Sequence, residues 1–444
     1  MSNFAAVFRP SARDREILRL AVPALGALVA EPLYILADTA VVGRLGTPEL
    51  GGLAIASTII LTGYGLFIFL AYGTTASVAR LIGAGDERQA AHEAVQGMWL
   101  ALLIGVALAA AGLVLAGPLV GAMGASAVVR PHALTYLRIS LLGVPALLLT
   151  LAGTGYFRGL QNTTTPLIVV VVANAANLAI ELVLIFGFGF GIAGSAWATV
   201  VAQVGSAGAY VFWVAGDVRA RDVSVRPDWP AIRRLAVVGR DLFVRTISLR
   251  LALTFATAAA ARIGTVDLAA HQVAFELWNF LALVLDSIAI AGQAIIGRLL
   301  GAGVAGEARA AGRRMVGWGV GAGIVFAAVI ALTRPLLPHI FTNDADVIAL
   351  AGFLLWFVAA LQPVNGAVFV LDGVLIGAGD MRYLAWAMFV SALVFLPALG
   401  AVLAFGAGIG WLWAAIGLLM VARLVTLGAR FAGAAWVVVG AVRR

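Results

Sequence analysis

Apolar residues in this chain come in long runs, and polar residues gather in short clusters between them. The run "MWLALLIGVALAAAGLVLAGPLV" (98–120) holds no charged or amide residue and shows no two-residue alternation. About 20 apolar residues in a helix cross the roughly 30 Å hydrocarbon core of a bilayer. A barrel strand would instead alternate over about ten positions. The runs predict twelve helical spans, near 15–43, 50–80, 93–118, 133–158, 165–188, 192–216, 232–262, 268–297, 311–334, 346–376, 383–406 and 412–437. Backbone polar groups in lipid must be satisfied within the structure itself. The pattern therefore predicts an all-α, polytopic membrane protein.

The longest polar stretch, "GDVRARDVSVRPDWPAIRR" (216–234), divides the chain almost in half. An offset of 218 residues then aligns distant features without a gap. "RLGTPEL" (44–50) matches "RIGTVDL" (262–268), and "ARLIGAG" (79–85) matches "GRLLGAG" (297–303). Pro145, Gly155 and Gly159 match Pro363, Gly373 and Gly377. Constant spacing over such a distance predicts an internal repeat, with an N-lobe at 1–222 and a C-lobe at 223–444. Six spans per repeat is an even number, so both halves enter the membrane from one side. Two six-helix lobes related by a pseudo-two-fold axis along the membrane normal are expected, with substrate sites near the midplane.

Composition agrees with this pattern. Of 444 residues, 63% are hydrophobic and 11% charged, against about 25% charged in soluble domains. The net charge of +8 points to loop arginines rather than to nucleic acid. Placing the N-terminus inside puts about twenty arginines on the cytoplasmic side and about five (44, 130, 138, 262, 334) opposite, the positive-inside bias. Both termini are then cytoplasmic, and the Arg-rich N-terminus reads as a retained tail rather than a cleaved signal.

Several chemistries drop out. Without cysteine the chain has no disulfide, Fe–S or thiolate zinc site, and without lysine it has neither a Walker A loop nor a Schiff base. Histidines 92, 132, 271 and 339 are scattered. "GFGIAG" (189–194) fits a dinucleotide pattern but joins two apolar helices with no strand before it. Gly317 and Gly321 mark close helix packing only. No nucleophile–base pair is visible, so an enzyme is not expected, and no cofactor is implied.

Ionisable residues inside spans are expensive and mark functional sites. Glu31 and Asp38 share one face of span one, and Asn174, Asn177 and Glu181 share one face of span five. Thr199 and Gln203 lie one turn apart in span six. Packing glue between helices is the alternative reading. Carboxylates with no arginine deep in the same half fit better as proton-exchanging or cation-coordinating groups. The second half has Arg245 and Arg250 in span seven, Glu276 and Asp286 in span eight, and Asp372 in span ten. Acids and arginines coexist there, which predicts structural ion pairs. The repeat partners of Asp38 and Glu181 are Ala256 and Leu399, so the acid site is not duplicated.

Three segments carry a family resemblance: "EPLYILADTAVVGRLGTPELGGLAIA" (31–56), "YFRGLQNTTTP" (156–166) and "AHQVAFELWNFLALVLDSIAIAGQAIIGRLLGAG" (270–303). They resemble the multidrug and toxic compound extrusion (MATE) family, specifically its DinF-like branch. The resemblance covers nearly the whole chain and implies two six-helix lobes in a V. It also implies a cation-coupling site at Asp38, Asn177, Glu181 and Thr199, open to Na+ as well as H+, and a bend in span one at Pro23. Glu31, Asn174 and Gln203 are expected to support that pocket. Position 181 is Glu where many members have Asp, and 162 is Asn where the loop often has Asp. The longer acid weighs against Na+ more than against H+. The expected activity is secondary antiport at the cell inner membrane, exporting hydrophobic or cationic organic compounds in exchange for H+ or Na+. The alternative is a lipid-linked-precursor flippase of the same superfamily, and the family expectation is a monomer.

Overall fold

Each apolar run becomes a helix, because an intrasegment hydrogen-bond ladder is the one way a lone apolar segment satisfies its backbone in lipid. The computed structural model describes residues 12–442; the tail before Ala12 and the last two arginines lie outside the described residues. The helices are α1 (Ala12–Gly43), α2 (Thr47–Gly65), α3 (Phe69–Gly83), α4 (Glu87–Ala122), α5 (Arg130–Leu141), α6 (Val144–Gly159) and α7 (Thr164–Leu182). They continue as α8 (Ile192–Ala220), α9 (Trp229–Ile263), α10 (Thr265–Gly301), α11 (Ala305–Thr333), α12 (Ala345–Gly377), α13 (Met381–Ala404) and α14 (Ile409–Ala432). Eleven helical stretches, with α2 and α3 as one, are long and apolar enough to cross a membrane. The α5–α6 pair, bent by 49°, makes a twelfth span. All twelve predicted spans are accounted for.

Two details differ from the sequence reading. The apolar pattern carries the last span to 437, but the helix ends at Ala432 because Gly433 turns extended. Trp436 then folds back, its indole N–H donating to the Phe431 carbonyl at 2.9 Å. Span four is broken where Pro145 opens α6, whereas its partner Pro363 lies inside an unbroken α12.

The repeat is visible as packing. A Cβ added to Gly105 would fall 2.6 Å from Pro145 Cα, and one on Gly323 would fall 2.7 Å from Pro363 Cα. Gly155 closes on Ala71 and Gly373 on Ala289; Gly159 closes on the Thr75 carbonyl and Gly377 on that of Gln293. Both members of every pair are 218 residues apart, so the same helix crossings are built twice. Side chains of any size would hold these helices apart. Gly85 and Gly303 likewise take the same left-handed turn, φ 78° and 79°. The register shortens by one residue before α8 and α14, where Gly189 and Gly191 correspond to Gly406 and Gly408, all at positive φ.

Two compact units result: residues 26–239, and residues up to 25 together with 240 onward. Each holds one repeat's body plus the leading segment of the other repeat's first helix. Within its unit, Asp14 of α1 accepts from Arg314 Nε at 2.7 Å and from Trp318 Nε1 at 2.8 Å, and Glu16 accepts from Arg298 at 2.6 Å. In the other unit, Asp228 before α9 donates its backbone N–H to Gln96 Oε1 at 2.8 Å. Gln96 and Arg314 are themselves repeat partners. Helices α1 and α9 are thus the elements that pass from one unit to the other, α1 doing so two residues beyond Pro23.

Candidate functional site

Three helices and the first arm of the bent span bring polar side chains together within residues 26–239. Tyr34 and Asp38 sit one turn apart on α1, Asn177 and Glu181 one turn apart on α7, and Ser195 and Thr199 one turn apart on α8. Tyr136 of α5, also buried, lies beside Thr199 and Ser195. Glu181 is fully buried and Asp38 is 5% exposed.

The hydrogen bonds run in two strings. Ser195 Oγ donates to Asp38 Oδ1 at 2.8 Å. Asn177 Nδ2 donates to the Tyr34 hydroxyl at 2.7 Å and more weakly to Thr199 Oγ1 at 3.4 Å, while the Tyr34 and Thr199 hydroxyls lie 3.3 Å apart. Glu181 faces Asp38 and Ser195. Among the described residues no arginine pairs with either acid. Three buried oxygens lack a donor altogether: Asn177 Oδ1 and both carboxylate oxygens of Glu181. An unmatched buried polar atom is costly, and these three are all acceptors. Such an arrangement is completed by something that brings positive charge or a proton, and its hydroxyl, amide and carboxylate oxygens suit a hard cation.

The helix of Glu181 changes pitch directly after it. Val183–Gly187 forms a π-helical turn, with Phe188 N–H reaching the Val183 carbonyl at 3.1 Å. Such widened turns often accompany functional residues.

The four residues named by the resemblance therefore meet. The supporting set does not join them. Glu31 is exposed on α1, two turns before Asp38. Asn174 instead donates to the Ala30 carbonyl at 3.0 Å, tying α7 to α1. Gln203 packs against Gly143 at the α5–α6 break, a full turn past Thr199. Three contributors escaped the sequence reading: Tyr34, Tyr136 and Ser195. Two were readable, since Tyr34 lies between Glu31 and Asp38 on the same face and Ser195 precedes Thr199 by four.

The other unit holds charges of a different kind. Asp372 of α12 accepts from Arg245 of α9 through both carboxylate oxygens, with one contact at 3.2 Å, and from Arg423 of α14 at 2.6 Å. Asp286 lies in electrostatic reach of Arg423. An ion pair of the kind expected for this half joins Arg245 and Asp372. Arg250 and Glu276 are exposed and outside it, Glu276 accepting from Gln272 one turn away. Arg423 was missed, although a lone arginine inside an apolar span is the signal that identified the acids.

Similarity to known proteins follows the same map. The MatE family model matches residues 23–183 and 243–402, one match per repeat. Protein DETOXIFICATION 44, chloroplastic, of Arabidopsis thaliana is 34% identical over 92% of this chain and 80% of its own length. DNA damage-inducible protein F of Escherichia coli (strain K12) is 31% identical over 87% of each. The solved outward-facing structure of a multidrug resistance MATE family transporter of the MOP superfamily shares the fold, with a TM-score of 0.84 at 21% identity over 97% of this chain and 98% of that one. A family match over most of the chain, falling on both repeats, shows that this multi-pass membrane protein belongs to the MATE family, whose members are transporters and not enzymes.

Proposed function

We propose that the protein is a secondary antiporter that exports hydrophobic or cationic organic compounds in exchange for an inward-moving cation, H+ or Na+. The observation that carries this reading is the set of donor-less buried oxygens, Asn177 Oδ1 and Glu181 Oε1 and Oε2, beside Asp38. A proton or a sodium ion is what such a set accepts. The multidrug resistance named for the structural relative supports the substrate class.

Loading the site changes charge and hydrogen bonding around Asp38, which sits on α1. That helix belongs to one unit up to residue 25 and to the other from residue 26. Pro23 cannot donate to the helix ladder, so bending is easiest there. Cation binding is read as biasing α1 between a straight and a bent form, with substrate held more weakly in one of them. Differential affinity of a few kcal/mol is enough to shift such a population. The repeats 1–222 and 223–444 act as lobes, with both termini cytoplasmic. A flippase for pyrophosphate-linked lipids would want arginines left for the headgroup, whereas Arg245 and Arg423 are held on Asp372.

Purified protein in liposomes, with pH and Na+ gradients imposed separately, tests the reading. Uphill movement of ethidium driven by one of the two gradients is expected. Ethidium transport indifferent to both gradients would overturn it.

A further inference from the structure

An apolar groove within residues 26–239 plays no part in the cation site. Val95, Trp99 and Leu102 of α4, Leu149 of α6, and Val214 and Val218 of α8 line it, and Val225 covers one end. Its volume is about 270 Å³. From Val95 to Leu102 it follows α4 for about 10 Å, at 1.5 Å per residue. One leaflet of hydrocarbon is about 15 Å deep, half of the 30 Å core. The groove therefore matches much of one acyl chain in length and chemistry.

The covered end is a strap, residues 221–228, fixed by its backbone. Buried Gln96 holds two points of it, donating to the Arg226 carbonyl at 3.1 Å and accepting from Asp228 N–H at 2.8 Å. Trp99 Nε1 donates to the Val225 carbonyl at 2.9 Å, and Arg88 donates to the Asp222 carbonyl at 3.0 Å. The nearby acids are largely engaged: Glu87 and Asp217 on Arg221, and Asp228 on His92 at 3.3 Å. Asp222 is the acid left on the strap. Arg219 follows the lining residue Val218, Arg226 follows Val225, and both side chains are exposed. Among the described residues neither is paired with a carboxylate. Two exposed arginines thus directly follow residues that line an apolar slot, and Trp99 of that slot is tied to the strap.

We propose that this groove is a binding site for an anionic phospholipid, one acyl chain lying along α4 and the phosphate held by Arg219 and Arg226. Arginine attracts anionic headgroups, and the groove lets the chain replace bulk lipid contacts with fitted ones. The strap anchors the headgroup at a set height because Gln96 and Trp99 hold its backbone.

Full-length protein in mild detergent, titrated with dioleoyl phosphatidylglycerol or dioleoyl phosphatidylcholine and read by native mass spectrometry, tests this. One phosphatidylglycerol should be retained about thirtyfold more tightly than phosphatidylcholine. An Arg219→Gln, Arg226→Gln double variant should bind the two lipids alike. Val214→Trp, which fills the groove, should retain neither; Ala215→Phe, at a neighbouring residue that also lines it, serves if that variant fails to fold, as judged by gel filtration and melting temperature. Equal affinity for both lipids in the unmodified protein, or undiminished retention with the groove filled, would overturn the proposal. So would displacement of the lipid by soluble glycerol phosphate, which would mark a site for anions alone.

Discussion

Residues 26–239 keep two carboxylates buried without a cation, while the unit containing 240–442 buries a carboxylate between two guanidiniums. The scaffolds around them are the same, with matched glycine crossings at Gly105 and Gly323, Gly155 and Gly373, and Gly159 and Gly377. The contents differ position by position. Asp38 and Glu181 correspond to Ala256 and Leu399. At the shortened register, Ser195 and Thr199 correspond to Leu412 and Ile416, and all four counterparts are buried apolar residues. At these four positions the second repeat places packed apolar side chains where the first places polar ones. The difference teaches that burial of charge has two uses. A carboxylate matched by arginines is closed to a mobile cation, and one left unmatched beside free oxygens is open to it.

The comparison breaks most sharply at Asp38. Asp38→Asn preserves shape and cannot ionise. Gradient-driven ethidium efflux in liposomes should fall about a hundredfold, at the top of the usual range of coupling energies, with folded protein still in the membrane. Rates equal to those of the unmodified protein would erase the distinction between the units.

Asp372→Asn probes the other side. It removes the carboxylate shared by Arg245 and the buried Arg423, and breaking a buried ion pair in this way costs about 3–5 kcal/mol. The melting temperature in detergent should drop, yet protein that folds should move the same number of cations per ethidium. A changed cation-to-substrate ratio at normal stability would move the coupling site into the second repeat.

Glu181→Gln should have a smaller effect than Asp38→Asn, slowing efflux about thirtyfold. The variant leaves one ionisable carboxyl where two faced each other, so the pH optimum of efflux should move. An unmoved optimum would make Glu181 a packing residue. Ser195→Ala, which removes the 2.8 Å bond to Asp38, should weaken cation dependence by about fivefold, the net worth of one hydrogen bond near 1 kcal/mol. No change there would take Ser195 out of the site.

The fold was largely legible because its causes are local. A run such as 98–120 has only one way to satisfy its backbone in lipid, and the 218-residue offset recurs as paired close contacts. The acids were legible for a related reason, since a carboxylate in such a run stands out against its neighbours. Their partners were harder to read. Tyr34 and Ser195 are ordinary in apolar helices, and only the crossing of α1, α7 and α8 gives them roles. Glu31 and Gln203 shared helix faces with site residues but lie too far along their helices to join, because spacing gives the face and not the depth. The passage of α1 and α9 between units depends on distant contacts such as Asp14 with Arg314, which no local pattern encodes.

The central claim is that the first repeat alone holds the coupling cation. Its most direct test is cation release from purified protein when ethidium binds, followed with a pH dye in weak buffer and with radioactive Na+ in parallel. The protein as it stands and Asp372→Asn should each release one of these cations in a fixed ratio to ethidium bound, and an Asp38→Asn, Glu181→Gln double variant should release neither. Undiminished release from the double variant would contradict the account.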